Sequence, residues 1–489
     1  GEIMADQITI SFWVFLLLVA IALVAILDRV LIPSTRWFLR RRINRVIDEI
    51  GTRLDIEIRP FQLTKRQVLI DRLAFDPLVI EAVQQYALEH DMPLEVVQKK
   101  VMRYARETVP SFNAYLYFRI GYWIAKKVAR LLYRVRVGLI QNEQYTRIDP
   151  QSTVVFVMNH RSNMDYILVA FLAAERTTLS YAVGEWAKIW PLQMLIRAMG
   201  AFFVRRKSGN ALYRRVLERY IHMATREGVC QAVFLEGGLS RDGRLRDPKL
   251  GLVDYMLRGF DPDQDRDIVF IPVGINYDRT LEDRSLLRTL DPEARKRSGW
   301  FVVRTTARFV ARSLVLMVFS RWHRYGYACV NFGTPLSARA YCREQGVRFS
   351  SMPRAERFPQ VERLCRCVMT AIADVVPVLP VSLVAKVFVD AMDDAMDILE
   401  IERRINRLQN ELAARGAPVF EVNRSTRARV ISEALHMLLL RRMVTEANGV
   451  YRAVPEEQPL MIYYANAIVQ WWETALPREC PGSIGEQPA

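Results

Sequence analysis

Thr153-Val154-Val155-Phe156-Val157-Met158-Asn159-His160-Arg161-Ser162-Asn163-Met164-Asp165 changes character half-way along. A β-branched apolar run of strand length gives way at Asn159 to a polar cluster, and Ser162-x-x-Asp165 reads as the capping box that opens a helix. Further apolar runs of strand length follow at Phe202-Phe203-Val204, Ala232-Val233-Phe234-Leu235 and Ile268-Val269-Phe270-Ile271-Pro272-Val273. Longer helical stretches lie between them, such as Tyr213 to Thr225. Short buried strands alternating with helices indicate an α/β layer structure.

The chemistry sits where these strands end. His160 and Asp165 are five residues apart, about 140° around a helix, so they do not share a helical face. The segment is therefore expected to leave the strand, turn at His160 and start a helix near Ser162. In that geometry the Asp165 carboxylate accepts from one ring nitrogen while the other faces a cleft, which is the arrangement of a general base and its orienter. A lone histidine at a strand end is ordinarily a satisfied structural group, but this one has company. The second strand ends in Arg205-Arg206. The third runs into Glu236-Gly237-Gly238-Leu239-Ser240-Arg241-Asp242-Gly243-Arg244, a glycine-rich turn that lets backbone N–H groups and Arg241 approach an anion. The fourth is Ile271-Pro272-Val273-Gly274-Ile275-Asn276. A base, an orienter and converging arginines suit the deprotonation of an alcohol on a small phosphorylated substrate.

Composition bounds the rest. Apolar residues are 51% and charged residues 25% of 489, which excludes a disordered or low-complexity chain. The net charge of +16 asks for an anionic partner. The 6 cysteines are too sparse for a disulfide scaffold, and no His, Cys or Asp spacing suggests a metal site. From Gln7 to Leu27 the chain is uncharged and long enough for one helix across a hydrocarbon core, and Met4 just ahead of it reads as a plausible start. Arg36, Arg40, Arg41, Arg42 and Arg45 follow it, so the bulk of the chain is expected on the cytoplasmic side. The basic, aromatic-rich stretch Phe112 to Val137 suits a membrane interface as well as it suits a core helix, whereas Trp300 to Arg324, interrupted by Arg too often for a span, better suits the interface. The expected organisation is a transmembrane anchor at 1–35, a helical region at 36–140, an α/β domain at 141–340 and a helical region at 341–489. Arginines dispersed among apolar faces, without a reader motif, argue against nucleic acid.

The order and wording of the four blocks resemble the membrane glycerol-3-phosphate 1-O-acyltransferase family. His160-Arg161-Ser162-Asn163-Met164-Asp165 with Tyr166-Ile167-Leu168 is similar to its first block, and Gly200 through Arg206 to its second. Glu236-Gly237-Gly238 with Ser240, Arg241, Gly243 and Arg244, continued by Asp247-Pro248-Lys249, is similar to the third, and Ile271-Pro272-Val273 to the fourth. The likeness is close from Ser152 to Asp278 and looser in the preceding helices and in the tail around Leu460 to Ile468. One position departs from the pattern: Leu239 stands where the third block usually carries Arg, so one phosphate or thioester-donor contact is either missing or supplied by Arg244 or Lys249.

The resemblance implies an α/β acyltransferase domain with a mixed sheet flanked by helices. It also implies acyl transfer from acyl-CoA or an acyl carrier protein to the sn-1 hydroxyl of glycerol 3-phosphate, giving lysophosphatidate at a bacterial inner membrane. His160 would be the general base and Asp165 its orienter. Arg206, Arg241 and Lys249 would bind the acceptor phosphate, with Arg205 a weaker candidate. Glu236, Gly237, Gly238 and Ser240 would shape the acyl site, with Pro272 as its floor. No metal or cofactor is expected. Lysophosphatidate or dihydroxyacetone phosphate as acceptor would keep the same pair, whereas a non-catalytic, membrane-anchored basic binding protein would give His160 no role.

Overall fold

The computed structural model describes residues 66–109, 129, 132–139, 147–162, 164–165, 168, 180–183, 202–203, 210–281, 283–288, 325–391, 393–419, 424–473 and 480–484, with Val19 alone further upstream. Apart from Val19, all of these belong to one compact unit, Ile58–Ala489. The expected anchor at 1–35, Val19 apart, and the Trp300 to Arg324 stretch lie outside the described residues. Among the described residues no helix is long and apolar enough to cross a membrane.

From Arg66 onward the described residues open with α1 (Arg66–Ala74), α2 (Pro77–Glu89) and α3 (Leu94–Thr108). Asp76 caps α2 by accepting from Leu78 N, and Pro77 fits the first turn, where its missing N–H costs nothing. The sheet strands are β1 (Arg134–Leu139), β2 (Thr153–Met158), β3 (Ser180–Val183) and β4 (Phe202–Phe203). Then come α4 (Ala211–Arg226), β5 (Gln231–Phe234), α5 (Gly251–Leu257), β6 (Ile268–Tyr277), α6 (Asp283–Arg288), β7 (Tyr327–Phe332) and β8 (Leu336–Ser337). Among the described residues they form one sheet in the order β1-β7-β6-β2-β5-β3-β4, with β8 beside β6. The pairs β1–β7, β6–β2, β2–β5, β5–β3 and β3–β4 are parallel, whereas β6–β7 and β6–β8 are antiparallel. The sheet is mixed, as the resemblance implies.

Both faces of β2 and β6 are covered, which explains why these strands read as continuous apolar runs. Val155 and Val157 of β2, with Ile268 and Phe270 of β6, pack into the core formed with α1 to α5. Their neighbours Val154, Met158, Val269, Ile271, Val273, Ile275 and Tyr277 face the other way, into a second core with Tyr133 and Met164. The side-chain period of two thus assigns each residue its layer.

The helical reading of 36–140 needs a correction at its end. Arg134-Val135-Arg136-Val137-Gly138-Leu139 is strand β1, paired from Arg134↔Tyr327 to Leu139↔Phe332. Alternating Arg and Val suits the period of a strand, and only the aromatic-basic run ahead of it carries the helical spacing. Residues 112–128 lie outside the described residues. The fourth strand is also longer than its apolar run, continuing through Gly274-Ile275-Asn276-Tyr277 because β7 pairs with it there. A Cβ at Gly274 would lie 2.6 Å from the Val375 backbone, so glycine is needed for this close approach.

Beyond the sheet come α7 (Ala338–Gln345), α8 (Arg354–Ala373), α9 (Pro380–Ala391), β9 (Met396–Asp397), α10 (Ile398–Ala414), α11 (Arg424–Leu440), β10 (Val444–Ala447), β11 (Val450–Ala453) and α12 (Gln458–Ala465). This region is helical as expected, save for the small antiparallel sheet β10-β11-β9. Asp397 caps α10 through Glu400 N. The buried Ile401, Ile405, Leu408 and Leu412 recur at helical spacing and join a third core with α9 and α12. Two elements reach back: Ala338, Tyr341 and Cys342 of α7 and Val361, Leu364, Val368 and Ile372 of α8 belong to the core under the sheet.

Candidate active site

Strand β2 ends in a side chain that continues its ladder. Asn159 Nδ2 donates to Ile275 O at 3.0 Å, and Ile275 N donates to Asn159 Oδ1 at 2.8 Å. The next residue turns away from the sheet. His160 N donates to Glu236 Oε1 at 2.9 Å, and its carbonyl accepts from Ser240 N at 2.9 Å. The ring lies against Phe234, with centroids 4.1 Å apart. Its Nδ1 is 2.8 Å from Asp165 Oδ2, and the two side chains are 1% and 0% exposed. In the tautomer that donates from Nδ1 to the Asp165 carboxylate, Nε2 is the ring nitrogen left to act as base.

The expected capping box is formed. Ser162 Oγ accepts from Met164 N at 3.1 Å, while Asp165 Oδ2 accepts from Ser162 N at 3.1 Å and from Arg161 N at 2.7 Å. Asp165 Oδ1 accepts from the Tyr277 hydroxyl at the end of β6. One carboxylate therefore closes the turn and holds the imidazole.

The glycine-rich turn after β5 packs against this pair. Glu236 spans it, accepting from His160 N and, through Oε2, from Arg246 N at 2.6 Å. Burial pushes its carboxyl up to about 7, against the pull of both N–H groups and of the Arg161 and Arg246 charges. Gly237 takes φ +67 and lies under the Lys249 stem. Ser240 Oγ donates to Arg244 O at 2.6 Å, so that hydroxyl holds the turn. Arg161, 2% exposed, donates to the Gly243 carbonyl and more distantly to Asn276 Oδ1 at 3.5 Å, and lies over the Tyr463 ring. Among the described residues its buried Nε has no hydrogen-bond partner.

His160, Asp165, Glu236, Gly237, Gly238 and Ser240 are thus brought together. Arg241 and Lys249 are exposed at the rim of the turn, and neither side chain has a partner among the described residues. Arg205 and Arg206 lie outside the described residues. Arg244 is paired with Glu473, and both side chains are half-exposed. Leu239 packs against the C-terminal core. Pro272 sits in the sheet opposite Val157, three positions short of His160. Among the described residues no cluster of three or more His, Cys, Asp or Glu side chains is placed to hold a metal ion. The contributions of Tyr277 and Asn276 escape a sequence reading. Their one local signal is polarity at the end of an apolar strand that points the same way as β2.

This site lies within a recognised domain: residues 139–276 match the acyltransferase family model. Residues 313–472 match the glycerol-3-phosphate acyltransferase C-terminal region, so the resemblance to the glycerol-3-phosphate acyltransferase family read from the four blocks is upheld. Curated relatives carry the same name. The chain is 29% identical over 361 residues to the glycerol-3-phosphate acyltransferase of Pseudomonas entomophila (strain L48), covering 71% of this chain and 41% of that protein. It is 26% identical over 441 residues to that of Xanthomonas axonopodis pv. citri (strain 306), covering 88% and 48%. The chain therefore spans less than half the length of these relatives. The crystal structure of the 1-acyl-sn-glycerophosphate acyltransferase from Thermotoga maritima aligns over 63% of this chain and 97% of that one, at 16% identity and a TM-score of 0.29.

Proposed function

We propose that the chain transfers a long-chain acyl group from acyl-CoA or an acyl carrier protein to the sn-1 hydroxyl of glycerol 3-phosphate. The observation that carries this reading is the buried His160–Asp165 pair, whose carboxylate accepts from three further donors. His160 Nε2 takes the hydroxyl proton as the alkoxide oxygen attacks the thioester carbonyl. The C–O bond forms, the C–S bond breaks, and the imidazolium returns its proton to the departing thiolate. Asp165 stabilises the imidazolium, a general-base contribution of about 10²–10⁴-fold. Arg241 and Lys249, with Arg206 and more weakly Arg205, bind the acceptor phosphate. Glu236, Gly237, Gly238 and Ser240 shape the acyl site, with Pro272 behind them. No metal or cofactor takes part in this scheme.

The acyl chain and its product are insoluble in water, so the reaction belongs at a bilayer. The 1–35 segment would serve as a single-pass anchor in a bacterial inner membrane, with the bulk of the chain cytoplasmic. The test supplies membranes carrying the chain with a labelled long-chain acyl thioester and, separately, glycerol 3-phosphate, lysophosphatidate and dihydroxyacetone phosphate, with His160→Ala membranes alongside. Lysophosphatidate formed from glycerol 3-phosphate, and only with His160, is the expected result. Product from another acceptor keeps the chemistry and moves the substrate. Undiminished turnover in His160→Ala overturns the general-base assignment.

A further inference from the structure

Three of the four donors on Asp165 come from its own turn, and all three meet Oδ2: His160 Nδ1, Arg161 N and Ser162 N. Oδ1 is reached from elsewhere, by the Tyr277 hydroxyl, 112 positions further along the chain. A carboxylate held through a single oxygen keeps torsional freedom about its own bond; a donor on the second oxygen removes it. The phenol arrives on a rigid support. Tyr277 is the last residue of the central strand β6, paired with Ala328 of β7, and is 1% exposed. Its ring packs against Tyr133 at 5.3 Å, and Tyr133 is itself tied through its hydroxyl to Arg279 O at 2.5 Å. The next residue, Asp278, accepts from Tyr327 N at 2.9 Å and Val381 N at 3.0 Å, fixing the strand end from both sides.

We propose that Tyr277 is a positioning residue for acyl transfer, acting through Asp165 on His160; this rests on the general-base reading above. The phenol does two things. It fixes the carboxylate plane so that Oδ2 stays aligned with Nδ1. As a charge-assisted donor it also draws negative charge away from the imidazole and limits the basicity of His160. The turn builds the dyad, and β6 tunes it.

The test is Tyr277→Phe in the full chain in membranes, with kcat, both KM values and the pH profile of kcat/KM measured with a long-chain acyl thioester and glycerol 3-phosphate. The expected result is a kcat about tenfold lower with KM values within about twofold. The acidic limb should move to higher pH by about half a unit, because an unshared Asp165 charge holds the imidazolium more tightly. A fall in kcat with an unmoved limb marks a merely structural role and overturns the proposal, as does an unchanged profile. Should Tyr277→Phe fail to accumulate, fluorotyrosine at position 277, a stronger donor of similar shape, moves the limb to lower pH; an unmoved limb there has the same overturning force. His160→Ala keeps the two readings apart. If that variant is dead while the limb of Tyr277→Phe stays put, only the Tyr277 inference falls. If His160→Ala turns over normally, the general-base reading falls first.

Discussion

The Tyr463 carbonyl fills the space that a side chain would need at Gly243: a Cβ there would lie 2.0 Å from that oxygen. Gly243 also has φ +85, and its own carbonyl receives the Arg161 guanidinium. The turn after β5, the dyad segment and helix α12 therefore meet at a position with no room. Gly243→Ala should lower stability by roughly 2–5 kcal/mol, adding overpacking to left-handed strain. Gly416→Ala is the control, because Gly416 has φ +84 with nothing within 4 Å. Denaturant unfolding of the two variants separates the contact from the strain, and equal losses would remove the contact argument.

Arg241 and Lys249 are cations at the rim of the site whose side chains hold nothing else among the described residues. Arg241→Ala and Lys249→Ala should each raise KM for glycerol 3-phosphate about tenfold, with thermal unfolding nearly unchanged. Arg244→Ala loses only a half-exposed pair with Glu473, so its KM should stay where it is. Steady-state kinetics with varied acceptor checks all three.

Two buried carboxyls give stability a pH dependence of defined sign. Glu236 and Asp278 are both pushed up to about 7 by burial, while in the unfolded chain they titrate near 4. Between those values the folded chain keeps protons that the unfolded chain has released, so stability falls as pH rises toward neutrality and levels off above it. Asp278→Asn removes one titration but can accept only one of the N–H bonds from Tyr327 and Val381. It should be less stable than the parent at about pH 5, with the gap narrowing toward about pH 8. Thermal unfolding across that range reads it, and a widening gap would show the sign to be wrong.

Leu239 occupies the position where the resembling family usually has arginine, yet its side chain packs against the C-terminal core. Leu239→Arg should therefore cost roughly 1–3 kcal/mol without lowering KM for the acceptor. Restored acceptor affinity would mean that the turn can present this position to substrate.

What was legible in the sequence was local. Strand β2 and the dyad can be read because a β-branched run, a turn and a capping box follow one another within thirteen residues. Helix α4 is legible over Tyr213 to Thr225, and the structure extends it to Ala211–Arg226 with Asn210 as its cap. Order within the sheet is not legible, because β7 enters between β1 and β6 from fifty residues beyond the latter, and no spacing encodes that choice. Strand β1 hides behind the aromatic-basic run that precedes it. Arg161 and Tyr277 fail for the same reason as the sheet order: each becomes meaningful only through partners about eighty or more positions away. Arg205, Arg206 and the 1–35 segment are read from the sequence alone.

Where β2 departs from β6, the N–H and C=O of Ile275 would face an opening seam, and Asn159 answers both with one amide. A side chain thus impersonates a length of backbone, and the main chain is released to turn one residue sooner than the ladder ends. Departure and closure, which in an ordinary strand terminus happen together, are separated here by a single position. Hydration is denied its usual foothold at a strand end, directly behind the atom asked to accept a proton. The dryness around His160 begins in the residue before it.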